Sequence, residues 1–436
     1  MGKGSRQLFL AILLVICLLC NGCENFFLGN RFREVKEEPL KIGVLLPRIK
    51  DLNWLGYNLS QAVSLAVEKV NECGGINEQP VKLIFADTKA DPLVGMQAMN
   101  KLVEIDKVAG VVGAFTSSVS DRAINIAASN RVMLISPASA SPVFTERVKE
   151  RAEEDRVFAG YWARTVSPDT LKAQEVAKLA LVKGFGQVAT VAINNDYGIG
   201  FEQEFINAFT NQGGVVTNKD EPIHYDPTKV DLDKQVMAAF EGNSDAVMIV
   251  GDLESGSLLL KSAYEHGSNK QIIFIPTDSL YSQTFPQEMD KDNNNKSIVT
   301  GVLGLIPGAN SPNLQEFTSF WNKQTGEDVT PFIPQTWDAT MLLMLAAQAA
   351  QENTGPGIKN YLTVIATPGE SPDEKKEVRD VCQGIELLRD GKAINYQGVS
   401  GNVDLDSNGD VVGSYDVWTV AEDGSLLITK FPDSSE

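Results

Sequence analysis

The feature that most constrains this chain is a repeated alternation. Short, unbroken apolar runs rich in Val and Ile are each followed by a stretch whose apolar residues recur three and four positions apart. Residues 42–46, 81–87, 108–113 and 132–136 read as strands, and 55–73, 92–105 and 120–130 as the helices between them. In the first helix Ala62, Val63, Ala66, Val67 and Val70 keep one face apolar,. Gly74-Gly75 then ends it, glycine being the residue that accepts a left-handed conformation past a helix terminus,. A strand that is apolar at every position is covered on both faces, which points to parallel strands between helix layers. Strand–helix alternation of this period implies right-handed crossovers and a doubly wound sheet.

A second series begins near Thr165. Helices over 171–181, 201–210, 234–240 and 257–266 alternate with strands over 188–194, 215–216, 246–250 and 272–275. The expected fold class is therefore α/β, with two doubly wound parallel-sheet lobes of similar size. Residues 285–297 are polar and hold Asn293-Asn294-Asn295, a surface loop. A helix is expected over 337–351 and a hairpin-like end over 403–420. Segments near Pro307 and Gly398 let the chain pass between the lobes more than once.

The N-terminus reads as an address. Lys3 and Arg6 precede an apolar run over 8–20, too short for a bilayer span of roughly 20 residues,. Ending in Asn21-Gly22-Cys23, it resembles a bacterial lipoprotein signal whose cysteine is acylated, although Cys20 stands where that signal usually has Leu,. Residues 1–22 are thus expected to be removed and 23–40 to form a lipid-anchored linker. No other run is long and apolar enough to cross a membrane. The expected location is outside the cytoplasmic membrane, with membrane contact only through the lipid on Cys23. Beyond that residue, Cys73 and Cys382 remain; they could pair in an oxidising compartment or stand as two separate thiols,.

Composition narrows the chemistry. Acids outnumber bases by 57 to 38, for a net charge of −19, which argues against nucleic acid as a partner,. With two histidines, His224 and His266, in unrelated contexts, most His-based metal sites and triads drop out,. Asp404-Leu-Asp406-Ser-Asn408-Gly409-Asp410 matches half of a calcium loop, but Tyr415 stands where a bidentate Glu belongs, so a turn is expected at Asn408-Gly409,. His224 is expected to face solvent. Neither a metal, a cofactor nor a catalytic nucleophile with its base is expected, and a secreted hydrolase is a remote alternative.

The strand ends carry what chemistry there is, because ligands of open α/β sheets sit beyond the carboxyl ends of the strands. The run over 108–113 opens into Ala114-Phe115-Thr116-Ser117-Ser118 and a helix, a place where hydroxyls and N–H groups suit a carboxylate, or where Ser117 or Ser118 caps the helix,. The run over 132–136 ends in Pro137-Ala138-Ser139-Ala140-Ser141-Pro142, a turn whose backbone can approach a ligand. In the second series the ends are Asn195-Asp196-Tyr197-Gly198 and Pro276-Thr277-Asp278. One lobe thus offers donors, the other an aromatic ring and a carboxylate. That polarity suits a zwitterion, with Asp278 for the ammonium group. Charge-assisted hydrogen bonds of this kind contribute roughly 1.5–3 kcal/mol each.

These stretches, with Asn71-Glu72-Cys73-Gly74-Gly75, Arg164-Thr165 and Tyr396-Gln397-Gly398-Val399-Ser400-Gly401, run in one order from about Lys41 to Phe431. Together they resemble the type I periplasmic binding proteins of the leucine/isoleucine/valine-binding family, the receptors of ABC importers. The resemblance implies two lobes joined by three crossovers, one built from 41–165 plus about 303–397, the other from 166–302 plus about 398–433. It implies a small-molecule ligand (amino acid, amide or urea-like) and an ABC permease in the cytoplasmic membrane as partner. An extracytoplasmic sensor of the same fold is the alternative. By position, Ser117 and the backbone of Ala138 would hold a carboxylate, with Thr116, Ser139 and Ala140 beside them in the ligand-binding set although the Ser139 hydroxyl should point elsewhere; Tyr197 and Trp54 would form pocket walls, and Asp278 would take the amino group. Ala140 replaces a frequent Thr, Asp252 an aromatic, and Pro47-Arg48-Ile49-Lys50-Asp51 a small Ser/Thr-Gly pair. These departures open the specificity beyond leucine, and Asp252 would favour a cationic or donor group.

Overall fold

The computed structural model describes residues 38–47, 53–146, 160–229, 232–240, 243–266, 273–282, 284–371 and 374–431, without the side chains of 53–55 and 196. The signal, Cys23 and the linker up to residue 37 lie outside the described residues. The first sheet holds β1 (Lys41–Leu46), β2 (Lys82–Asp87), β3 (Gly110–Gly113), β4 (Met133–Ser136) and β5 (Trp162–Arg164), all parallel in the order β2-β1-β3-β4-β5. Its crossover helices are α1 (Asn53–Glu72), α2 (Pro92–Lys101) and α3 (Ser117–Ser129). Along β1, Ile42, Val44 and Leu46 join one core while Leu45 joins another. Both faces are covered, and so the run carries no polar alternation.

The second sheet repeats the plan. It is formed by β6 (Gln187–Ile193), β7 (Val215–Val216), β8 (Ile223–Tyr225), β9 (Ala246–Val250) and β10 (Ile273–Pro276), in the order β10-β9-β6-β7 with β8 also parallel to β6. Helices α4 (Asp169–Val182), α5 (Asp196–Asn211), α6 (Asp233–Phe240) and α7 (Leu253–His266) alternate with these strands. Ala246, Met248 and Val250 face one core; Val247 and Ile249 face the other.

The remaining chain is shared between the two bodies. Strand β11 (Leu303–Pro307) packs with the second. Helices α8 (Leu314–Thr325), α9 (Ile333–Ala350), α10 (Gly355–Ala366) and α11 (Val381–Arg389) return to the first, with β12 (Lys376–Val378) parallel to β13 (Ile394–Tyr396). Strands β14 (Tyr415–Val420) and β15 (Leu426–Lys430) then join β11 in an antiparallel ribbon. Leu303 and Leu305 belong to a second-body core, whereas Val399, Val403, Leu405 and Val411 pack in the first.

Other expectations need correction. The hairpin is β14–β15, turning at 421–425, not a ribbon over 403–420. Strand β8, on which His224 lies, is too short to leave a pattern in the sequence, and His224 is half-buried with Nε2 2.7 Å from Glu202 Oε2 rather than facing solvent. Helix α9 is buried along nearly its whole length, so its apolar residues show no stripe,. Its one acid, Asp338, is fully buried and accepts from Tyr396 Oη (2.8 Å), Val399 N (3.0 Å), Ser400 N (2.8 Å) and Ser400 Oγ (2.5 Å). Those bonds fix the segment that leaves β13. Gly398 is required there, since a Cβ would stand 2.5 Å from Asp338 Oδ2. Cys73 and Cys382 form a disulfide, tying the end of α1 to α11 with Cα atoms 5.4 Å apart.

Candidate functional site

The helix after β3 begins three residues earlier than its apolar spacing indicates. Thr116 is the N-cap residue, in extended conformation and without a side-chain cap bond, and Ser117 is the first helical position. Val119 N and Ser120 N bond to Thr116 O, whereas the N–H groups of Ser117 and Ser118 and the Ser117 hydroxyl find no acceptor among the described residues. Ser117 therefore does not serve as a cap. It stands half-buried at a helix start, where the backbone dipole favours an anion,.

The turn after β4 is wired internally. Ser136 Oγ donates to Ala114 O (2.7 Å) and accepts from Ala138 N (3.2 Å) and Ser139 N (2.8 Å). Ser139, 1% exposed, bonds Ser120 Oγ at 2.8 Å and Ala114 O at 3.1 Å. Its hydroxyl is thus spent inside the protein, as expected of a side chain that points away from the ligand. Ala138 likewise has its N–H satisfied by Ser136. The buried Arg164 guanidinium holds this turn from below, donating to Ser139 O (3.3 Å), Ser141 O (2.9 Å) and Thr145 Oγ1 (2.7 Å). Its Nε lies 2.6 Å from Asp410 Oδ1. The last acid of the calcium-like sequence is therefore a counter-ion for Arg164. Among the described residues no cluster of His, Cys, Asp and Glu could hold a metal.

Across the chain crossing that follows β5, Asp169 N donates to Ala140 O at 2.7 Å, which joins this turn to the start of α4. Here the sequence reading missed the most unusual group of the site. Lys172, with a side chain 3% exposed, reaches Asp169 Oδ1 at 2.6 Å and Asp278 at 2.9 Å. Burial pushes its ammonium down, but the two carboxylates more than reverse this and hold it well above the ordinary range,. Burial pushes the Asp278 carboxyl up, against the lowering effect of Lys172. A signal was present in the sequence: Lys172 shares a helix face with Asp169, Val176 and Ala180, all buried,.

Tyr197, at the start of α5, places its Oη 3.1 Å from Ser279 Oγ, which also bonds Gly251 O and Thr277 Oγ1. Burial and the nearby acids push the Tyr197 and Tyr415 phenols far up, so both stay neutral. Tyr197 and Asp278 are thus brought together around Lys172, with Ala140 next to them. Asp252 is not part of this cluster: its Oδ1 accepts from Ser255 N and Oγ, both at 2.8 Å, and caps α7. Asp252→Ala is expected to cost about 1 kcal/mol of stability by urea unfolding while leaving ligand affinity unchanged. Trp54 lies in the first turn of α1, and its side chain is outside the described residues.

With this geometry in hand, comparison with known proteins decides the family. The model of the receptor family ligand binding region matches residues 58–423. The chain belongs to that family. Among relatives of this receptor-family chain, the chemotactic signal transduction system substrate-binding protein BasB of Halobacterium salinarum is 25% identical, over 89% of this chain and 88% of its own length. Leu/Ile/Val-binding protein homolog 3 of Brucella melitensis is 26% identical over 54% of this chain and 60% of its own. The crystal structure of a leucine binding protein, LivK, from Thermotoga maritima superposes with a TM-score of 0.71 at 21% identity, covering 90% of this chain and 99% of that one. The fold is that of the type I periplasmic binding proteins. No helix among the described residues is long and apolar enough to cross a membrane.

Proposed function

We propose that the protein is an extracytoplasmic solute-binding receptor. It captures an amino acid or a related small polar metabolite between two hinged lobes, delivers it to an ABC permease of the cytoplasmic membrane, and is held there by a lipid on Cys23. What supports the reading is two sets of complementary groups at strand ends. Ser117 and the unfilled N–H groups of α3 suit a carboxylate; the acids around Lys172 suit a donor; the Asp169–Ala140 bond ties the start of α4 to the turn after β4. In the same reading the lobes are built from 41–165 with about 308–411, and from 166–307 with about 412–431.

A thermal-shift screen against amino acids, amides and urea tests it. A ligand at a hundredfold excess over its dissociation constant stabilises by roughly 2.7 kcal/mol. Ser117→Ala is expected to weaken the best binder at least tenfold, about 1.4 kcal/mol, with the unliganded melting temperature unchanged. A screen in which no compound shifts the transition ends the receptor reading. A ligand-sensing role is the second reading, favoured by the chemotaxis relative. Uptake into vesicles containing the permease that rises when the loaded protein is added assigns it to transport.

A further inference from the structure

The cluster around Lys172 has a charge balance that the receptor reading alone does not explain. An ammonium has three protons to give, and here each has an acceptor: Asp169 Oδ1 at 2.6 Å, and Asp278 Oδ1 and Oδ2 at 2.9 Å. Lys172 therefore has no donor left for a ligand. Two carboxylates against one ammonium leave one negative charge, among side chains only 1% (Asp169), 3% (Lys172) and 9% (Asp278) exposed. The remaining oxygen, Asp169 Oδ2, is buried and has no hydrogen-bond partner. A buried acceptor left empty is costly, and a buried uncompensated charge more so.

The other groups facing the cluster do not supply the missing charge. Tyr197 comes from α5 and Tyr415 from β14, both neutral phenols, and the Phe201 ring centroid lies 5.7 Å from Lys172 Nζ. We propose that Lys172 is a specificity-determining residue: lying between Asp169 and Asp278, it leaves the pair one positive charge short, so the site takes a ligand presenting a single ammonium group there, in preference to one with none or two. This rests on the receptor reading and narrows its ligand class to primary amines with one cationic head. Lys172 acts through the two acids it neutralises rather than by touching the ligand.

Calorimetry with two matched pairs tests this: L-leucine against 4-methylpentanoate, and L-glutamine against 4-carbamoylbutanoate. In the wild-type protein the member with the ammonium group is expected to bind at least tenfold more tightly in whichever pair fits the pocket. Its affinity is expected to fall as the pH is lowered. Burial pushes the Asp278 carboxyl up, and once that carboxyl takes a proton the pair no longer lacks a cation,. Lys172→Gln leaves two negative charges and is expected to raise binding of L-2,4-diaminobutyrate relative to L-leucine at least tenfold, a ratio that a purely structural lysine would not move. Equal affinity within a pair, or an unchanged ratio in the folded variant, overturns the inference while the receptor reading stands. If neither member of either pair binds, the amino-acid reading fails and the inference with it. Should Lys172→Gln not fold, the wild-type pairs and pH profile decide alone.

Discussion

Replacing Arg164 with methionine is expected to lower folding stability by about 4 kcal/mol, measured by urea unfolding. Four of its five N–H donors are committed inside the protein, to Asp410, Thr145 and the carbonyls of Ser139 and Ser141. Methionine fills the space but leaves the Asp410 carboxylate, 9% exposed, without its cation. Removing one partner of a buried pair is destabilising because the other charge stays behind. Arg164→Lys is expected to recover only part of the loss, a single ammonium being unable to reproduce the planar fork. Asp410 lies in the last crossing between the bodies and Ser139–Ser141 in the turn beside Asp169. Ligand affinity is therefore expected to fall as well, at least tenfold. An Arg164→Met variant as stable as the wild type would show that the guanidinium network contributes little.

Removing the disulfide is the second large effect. Cys73 and Cys382 are 309 positions apart, so their bond closes most of the described chain into one loop. Constraining so long a loop limits the unfolded ensemble strongly, and Cys73→Ser/Cys382→Ser is expected to cost about 4 kcal/mol. The bond joins α1 to α11 within the first body, and both helices contribute to the same core. Ligand affinity at ambient temperature is therefore expected to remain within about twofold while the melting temperature falls. Loss of binding in a variant that remains folded would contradict this separation of stability from recognition.

The elements that build the sheets were legible because burial writes itself into a strand locally. In β3 and β9 every residue is buried, and in β1 every residue but Lys41, and an unbroken apolar run is the direct record of that,. The same cause hid α9, where burial on all sides leaves no periodicity to bound the helix,. Ser117, Tyr197 and Asp278 could be named as candidates because strand ends in this fold class are where ligands go. Asp252 and Ser139 carry the right chemical groups but spend them on neighbours, one capping α7, the other bonding Ser120.

By itself the sequence determined the two α/β bodies and the loops at which a ligand could sit, since periodicity and strand ends are local properties of the chain. Only the tertiary structure decided which polar groups remain open. It paired Arg164 with Asp410, closed the disulfide over 309 positions, and set Lys172 between Asp169 and Asp278. The physical reason is that a charge or hydrogen bond is satisfied in space, by residues as much as 316 positions away, and a linear pattern does not record the partner,.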